Sequence, residues 1–303
     1  MKWPDSVVIT EVGPRDGLQN EAAIIPLAEK VRLVDALSGT GLTRIEAASF
    51  VHPKAIPQMA DAAELMAAIE RREGVTYVAL VPNQVGARNA LADHGEGTRT
   101  GADEISVVVS ASESHNKANI NRSVNETMEE IAGIAAMCAE AGTPWTGYIS
   151  TAFGCPYEGA VAPEAVLSLA ERLLELGAGV IALGDTIGIA EPRQVFELSD
   201  RCAGVTGEDR LRMHFHDTRG RALANVVAAM QAGVRQFDGS VGGLGGCPYA
   251  PGASGNVATE DMVSMLEAMG VRTGVDVDVL LEVVGLAEKV VGRTLDGRVK
   301  RTV

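Results

Sequence analysis

The chain has 303 residues, 46% of them apolar and only 4% aromatic, so Ala, Val, Leu, Ile and Gly must supply its core. No apolar run approaches the roughly 18 residues of a membrane helix. A net charge of −14 argues against nucleic acid or an anionic membrane as a partner, because phosphate binding needs a basic footprint.

The N-terminal stretch Met1–Asp5 lacks an apolar segment, so no signal peptide and a cytoplasmic location are expected. Cys138, Cys155, Cys202 and Cys247 show no CxxC spacing and read as free thiols, neither a disulfide framework nor a zinc site. In chain order, a strand over Ser6–Val12 precedes a helix over Pro26–Ser38, and strands follow at Thr43–Ala48, Val75–Val81 and Glu104–Ser110. A helix at Val124–Ala141 leads to a strand at Thr146–Thr151, and a helix at Pro163–Leu176 to a strand at Val180–Gly184. A strand at Leu211–Phe215, a helix at Ala222–Ala232 and a strand at Gln236–Val241 end the series. Glycine-containing breaks at 39–41, 142–144 and 177–179 fall where a helix hands over to a strand. Eight strands alternating with helices predict an α/β architecture, the (β/α)₈ TIM barrel, with an open doubly wound sheet as the alternative. No low-complexity linker divides the chain. One catalytic domain over 1–303 is expected, with the barrel over about 6–270 and a C-terminal helical extension over about 271–303.

A barrel keeps its chemistry at the C-terminal ends of the strands. Strand one ends in Pro14-Arg15-Asp16, strand two carries Glu46 and Ser49, and strand three runs into Asn83. Strand six ends in Asp185, strand seven in His214-Phe215-His216-Asp217, and strand eight enters a glycine-rich loop. His214 and His216 are two apart, a spacing that puts both imidazoles on one face of a strand. Asp16, at the seam where the last strand meets the first, is placed to join them, and Asn256 offers an amide oxygen. Two nitrogens, two oxygens and open positions suit a six-coordinate ion, Mg²⁺ or Mn²⁺, while the imidazoles leave zinc, cobalt and iron open. The plain structural alternatives are a cap for Asp16 and a turn for Asn256.

Residues 239–256, Gly-Ser-Val-Gly-Gly-Leu-Gly-Gly-Cys-Pro-Tyr-Ala-Pro-Gly-Ala-Ser-Gly-Asn, form neither a Walker A loop nor a dinucleotide fingerprint. Such a loop can move and approach a ligand closely. Cys247 within it is either an exposed acid or nucleophile, or an incidental thiol.

The segments Val12–Glu21, Ser49–Lys54, Gly154–Gly159, Leu183–Gly188, His214–Thr218 and Gly242–Asp261 together resemble hydroxymethylglutaryl-CoA lyases, and the likeness covers nearly the whole chain. That resemblance implies a metal-assisted retro-Claisen cleavage of (S)-3-hydroxy-3-methylglutaryl-CoA to acetyl-CoA and acetoacetate. It implies a divalent metal, Mg²⁺ or Mn²⁺, no organic cofactor, a small-molecule acyl-CoA as the partner, and a homodimer or higher homo-oligomer. Asp16, His214, His216 and Asn256 match the metal ligands of the family. Arg15 matches the group that steadies the thioester enolate, and Cys247 the acid that protonates the carbanion. Glu46 and Asp185 match catalytic carboxylates, and they share with His214 the candidacy for the base that takes the hydroxyl proton. Ser49 and Asn83 are candidates for substrate contact, and Lys54, Lys117 and Arg122 for the CoA phosphates. Ser114-His115-Asn116 departs from the small-plus-aromatic pattern expected there. A lyase for another 3-hydroxy-acyl-CoA is therefore the nearest alternative, followed by a bond-forming synthase of the wider superfamily and a non-catalytic relative.

Overall fold

All eight expected strands form in the computed structural model of the chain, which describes residues 3–93, 100–245 and 255–302. They are β1 (Val8–Glu11), β2 (Arg44–Ser49), β3 (Thr76–Leu80), β4 (Glu104–Ser110), β5 (Trp145–Ser150), β6 (Val180–Asp185), β7 (Leu211–Phe215) and β8 (Gln236–Gly239). Each pairs in parallel with the next and β8 pairs with β1, so the sheet closes into a barrel and the open-sheet alternative is excluded. The helices are α1 (Leu27–Ser38), α2 (Ala62–Ala68), α3 (Gln84–Leu91), α4 (Glu113–Ile120), α5 (Val124–Ala141), α6 (Pro163–Glu175), α7 (Pro192–Thr206), α8 (Ala222–Gln231), α9 (Thr259–Ala268) and α10 (Val277–Val291). Among the described residues no helix is long and apolar enough to cross a membrane.

The strand ends differ from expectation by one or two residues, for local reasons. Ser6 makes only an isolated bridge to Arg272, so β1 starts at Val8. At the other end of the series, β8 stops at Gly239 because the chain turns into a 3₁₀ segment, Val241–Gly243. Helix boundaries follow capping chemistry: Ser123 and Glu126 form a reciprocal capping box at the start of α5, and Gly142 ends it in the left-handed region at φ 65°.

Alternate residues of a strand face opposite sides. Met213, Phe215 and Phe237 join the apolar layer under the helices, while Arg212, His214, Gln236 and Asp238 meet one another inside the barrel. The interior is thus strongly polar. Arg44 pairs with Glu104, and Thr146 Oγ1 donates to Glu104 at 2.7 Å. Arg212 Nη2 donates to Gln236 at 3.1 Å, and Tyr148 Oη donates to Asp238 at 2.7 Å. Buried polar groups need such partners, since each one left alone costs about 1–3 kcal/mol. Helix α10 packs back on α1, and Gly297 N beyond it donates to Gly242 O at 3.1 Å, at the end of the barrel where the strands finish.

Candidate active site

Immediately after β1 the chain makes a π-helical turn, Gly13–Gly17, in which the amides of Arg15, Asp16 and Gly17 all converge on Val12 O. The turn carries Arg15 and Asp16 inward. Arg15 is 8% exposed; its Nε donates to Glu46 Oε2 at 2.6 Å and its Nη1 to Asp16 Oδ1 at 2.7 Å. Glu46 lies on β2 beside a register shift against β3. One guanidinium therefore bridges the buried Glu46 and the partly buried Asp16, a planar fork matched to the task. Burial raises the pKa of Glu46 while the charge of Arg15 opposes the rise.

Asp16, His214 and His216 offer ligand atoms that all lie within 4.8 Å of one another, close enough to share an ion. His214 Nε2 is 4.0 Å from Asp16 Oδ2, and the two imidazole centroids are 5.2 Å apart. His216 sits just past β7, where it bridges to Asn256, whose Nδ2 donates to Asp16 Oδ2 at 2.8 Å and to Leu244 O at 3.1 Å. Burial pushes the carboxyl of Asp16 upward, but Arg15, both histidines and the Asn256 bond outweigh it and hold it well below the usual range. Burial and the neighbouring His214 push His216 down to about 4, which leaves a neutral ring with a lone pair. His214 is raised instead, because its bond to Asp238 and the charges of Asp238 and Asp16 overcome its burial. His216 Nδ1 and Asn256 Oδ1 are buried without a hydrogen-bond partner among the described residues. An unsatisfied amide oxygen beside a carboxylate-and-imidazole donor set fits a divalent cation.

This cluster lies at the wall of a cavity of about 720 Å³. Arg15, Asn83, Arg122 and Tyr148 also line it, together with His115 and the 118–122 segment at the end of α4. The candidates from sequence divide here. Asn83 lines the cavity while its Oδ1 caps α3 by accepting from Gly86 N at 2.9 Å. Ser49 is fully buried, its hydroxyl without a partner among the described residues, and it is not among the lining residues. Asp185 is not among the lining residues, although it feels the charge of His214. Its oxygens accept from Ile189 N at 2.8 Å and Ala190 N at 3.2 Å, and burial raises it to about 6. Lys54 and Lys117 are exposed and stand outside the lining; Lys117 Nζ donates to Asn121 O at 3.2 Å. Arg122 pairs with Glu130 at 3.0 Å. Cys247 lies outside the described residues.

Residues 114–116 do more scaffolding than their departure from the expected pattern suggests. Asn116 Oδ1 accepts from Ser110 N at 2.9 Å, and Nδ2 donates to Thr127 Oγ1 at 2.7 Å, which fixes α4 to the end of β4. Sequence reasoning missed Tyr148, Arg212 and Asp238, which lie behind His214. Polar residues spaced by two along β5, β7 and β8 were their signal, and such a pattern reads as an ordinary solvent-facing side until the barrel is closed.

The HMGL-like family profile matches residues 6–286. A hydroxymethylglutaryl-CoA lyase of Bacillus subtilis (strain 168) is 48% identical over 298 residues, 98% of this chain and 97% of that protein. A crystal structure of the Bacillus subtilis HMG-CoA lyase superposes with a TM-score of 0.96 at 47% identity, covering 100% of this chain and 99% of the other. An HMG-CoA lyase from Acinetobacter baumannii, solved in complex with coenzyme A and 3-methylmalate, has a TM-score of 0.93 at 40% identity, covering 99% and 96%.

Proposed function

The chain belongs to the HMGL-like family, and from that premise we propose that it cleaves (S)-3-hydroxy-3-methylglutaryl-CoA to acetyl-CoA and acetoacetate. The observation that carries this reading is the Asp16–His214–His216 cluster, with Arg15 beside it, on the wall of one large cavity. Asp16, His214, His216 and Asn256 would hold Mg²⁺ or Mn²⁺. Bound there, the ion supplies Lewis acidity, lowering the pKa of the substrate hydroxyl and polarising the carbonyl that forms, an effect worth several kcal/mol.

The chain's own residues do the rest. The tertiary hydroxyl gives its proton to a base among Glu46, Asp185 and His214, the C2–C3 bond breaks, and its electron pair moves onto the thioester as an enolate. Arg15, locked by Glu46 and Asp16, presents a guanidinium that cannot lose its proton to the developing oxyanion, so its charge is organised before the bond breaks. Glu46 also holds that guanidinium in place. We assign to Cys247 the proton that ends on the acetyl carbon, since a thiol with an ordinary pKa near 8.5 is mostly protonated at neutral pH. We further propose that residues 1–303 work as one catalytic unit within a homodimer or larger homo-oligomer, with an acyl-CoA as its small-molecule partner.

A second reading, a lyase of the same mechanism for another 3-hydroxy-acyl-CoA, is favoured by one observation: His115, within the 114–116 segment that departs from the small-plus-aromatic pattern, lines the cavity. A mass-spectrometric product assay offering hydroxymethylglutaryl-CoA beside bulkier 3-hydroxy-acyl-CoA analogues decides between the two. Release of acetoacetate from the first substrate supports the primary reading. Cleavage of an analogue alone moves the substrate, and cleavage of none overturns both.

A further inference from the structure

We infer that Asp238 is a positioning residue for His214, holding its proton on Nδ1 so that Nε2 keeps its lone pair toward Asp16 and His216. This inference rests on the reading that these residues hold a divalent ion.

The geometry is on the barrel axis, beneath the cluster. Asp238 sits in β8 at 2% exposure, beside His214 in the β7–β8 register, and its Oδ2 lies 3.1 Å from His214 Nδ1. A carboxylate oxygen only accepts, so the imidazole nitrogen facing it is the donor. The same Oδ2 accepts from Tyr148 Oη at 2.7 Å, and Tyr148 is a firm donor because burial and the charge of Asp238 raise its pKa far above the ordinary value. On the opposite side of the carboxylate, Oδ1 lies 3.8 Å from Arg212 Nε, and Arg212 is fully buried. Arg212 Nη1 also reaches Tyr148 Oη at 3.5 Å. Oδ2 is thus held by the phenol and the imidazole, while Oδ1, without a hydrogen bond among the described residues, faces the guanidinium. With Nδ1 so engaged, the remaining nitrogen of His214 is the one 4.0 Å from Asp16 Oδ2. Outer partners of this kind fix tautomer and ring orientation in metal sites.

Arg212 makes the inference sharp for a nearly isosteric variant. In Asp238→Asn the amide oxygen is drawn to the guanidinium, which leaves the NH₂ facing His214 Nδ1. A donor there forces Nδ1 to accept and moves the proton to Nε2, where the lone pair is needed. The test reads histidine tautomers by ¹⁵N NMR in the full-length protein, metal-free and with Mg²⁺, and Mn²⁺ affinity by electron paramagnetic resonance. His214→Ala identifies the resonance. The wild type should show His214 protonated at Nδ1 in both states. Asp238→Asn, still folded by thermal melting, should show the proton at Nε2 without metal and bind Mn²⁺ 10–100-fold more weakly, the usual scale for losing an outer partner. A neutral wild-type His214 protonated at Nε2 alone overturns the inference without any variant, as does an Asp238→Asn protein with unchanged tautomer and affinity. A wild type that binds no Mn²⁺ overturns the metal reading instead, while its metal-free tautomer still decides this one.

Discussion

Arg15 touches Glu46 and Asp16 at once, and this sets what its loss should do. Removing a donor that acts on charge present only in the transition state lowers turnover and leaves ground-state binding largely intact. Arg15→Gln should therefore reduce kcat by about 10²–10³-fold, the scale for losing one oxyanion donor, with a much smaller change in KM by steady-state kinetics. An equal loss in both parameters, or none, removes Arg15 from the proposed role. For Cys247→Ala the expectation is impaired turnover with Mn²⁺ affinity unchanged, and full turnover would leave the thiol without a part in proton transfer. The convergence of Asp16, His214 and His216 was legible at this scale because HxH at a strand end and an Asp at the closing seam come together once the barrel closes. Asp238, Tyr148 and Arg212 were not legible, because their meaning comes from strands 5, 7 and 8 meeting across the barrel axis. Lys54 and Lys117 show the converse. Their charge suggested phosphate contacts, and the fold puts both on exposed positions outside the cavity lining, Lys117 in α4.

Two buried carboxyls stitch elements together at the β1–β8 seam. Glu11 accepts from Gly13 N at 2.7 Å, Val241 N at 2.8 Å and Thr259 Oγ1 at 2.6 Å, joining the turn that carries Asp16 to the start of the loop after β8 and to α9. Gly13 is obligatory in this arrangement, since a Cβ there would stand 2.6 Å from Glu11 Oε1 and 2.9 Å from Val241 Cγ1. Gly13→Ala should destabilise the fold by about 1–3 kcal/mol and weaken Mn²⁺ binding; denaturation midpoints and a metal titration check both. Glu260 accepts from Gly242 N at 2.9 Å, and burial pushes its pKa from 4.5 to about 8. The folded state then holds a proton that the unfolded chain releases between about pH 4.5 and 8, so stability falls as pH rises through that window. Glu260→Gln cannot ionise and avoids that loss. Its melting temperature should gain on the wild type as pH rises from 5 to 8, and a constant difference would show that Glu260 does not hold the proton.

Across the whole molecule the alternation of strands and helices carried the barrel, because eight parallel strands with Gly-marked handovers have few other ways to close. What the alternation could not show was the polarity of the barrel's centre. There Arg44, Glu104, Arg212 and Asp238 pair with one another and support the floor of the cavity. The catalytic rim gathers residues from β1, β2, β7 and the segment after β8, so the proposed chemistry depends on barrel closure as a whole. The most direct measurement is acetoacetate release by chelator-stripped protein as Mn²⁺ is added back, for the wild type and His214→Ala. The metal-assisted mechanism predicts activity that is absent without metal, saturates at one ion per chain and is abolished in His214→Ala. Undiminished turnover after chelation, or in His214→Ala, would contradict it.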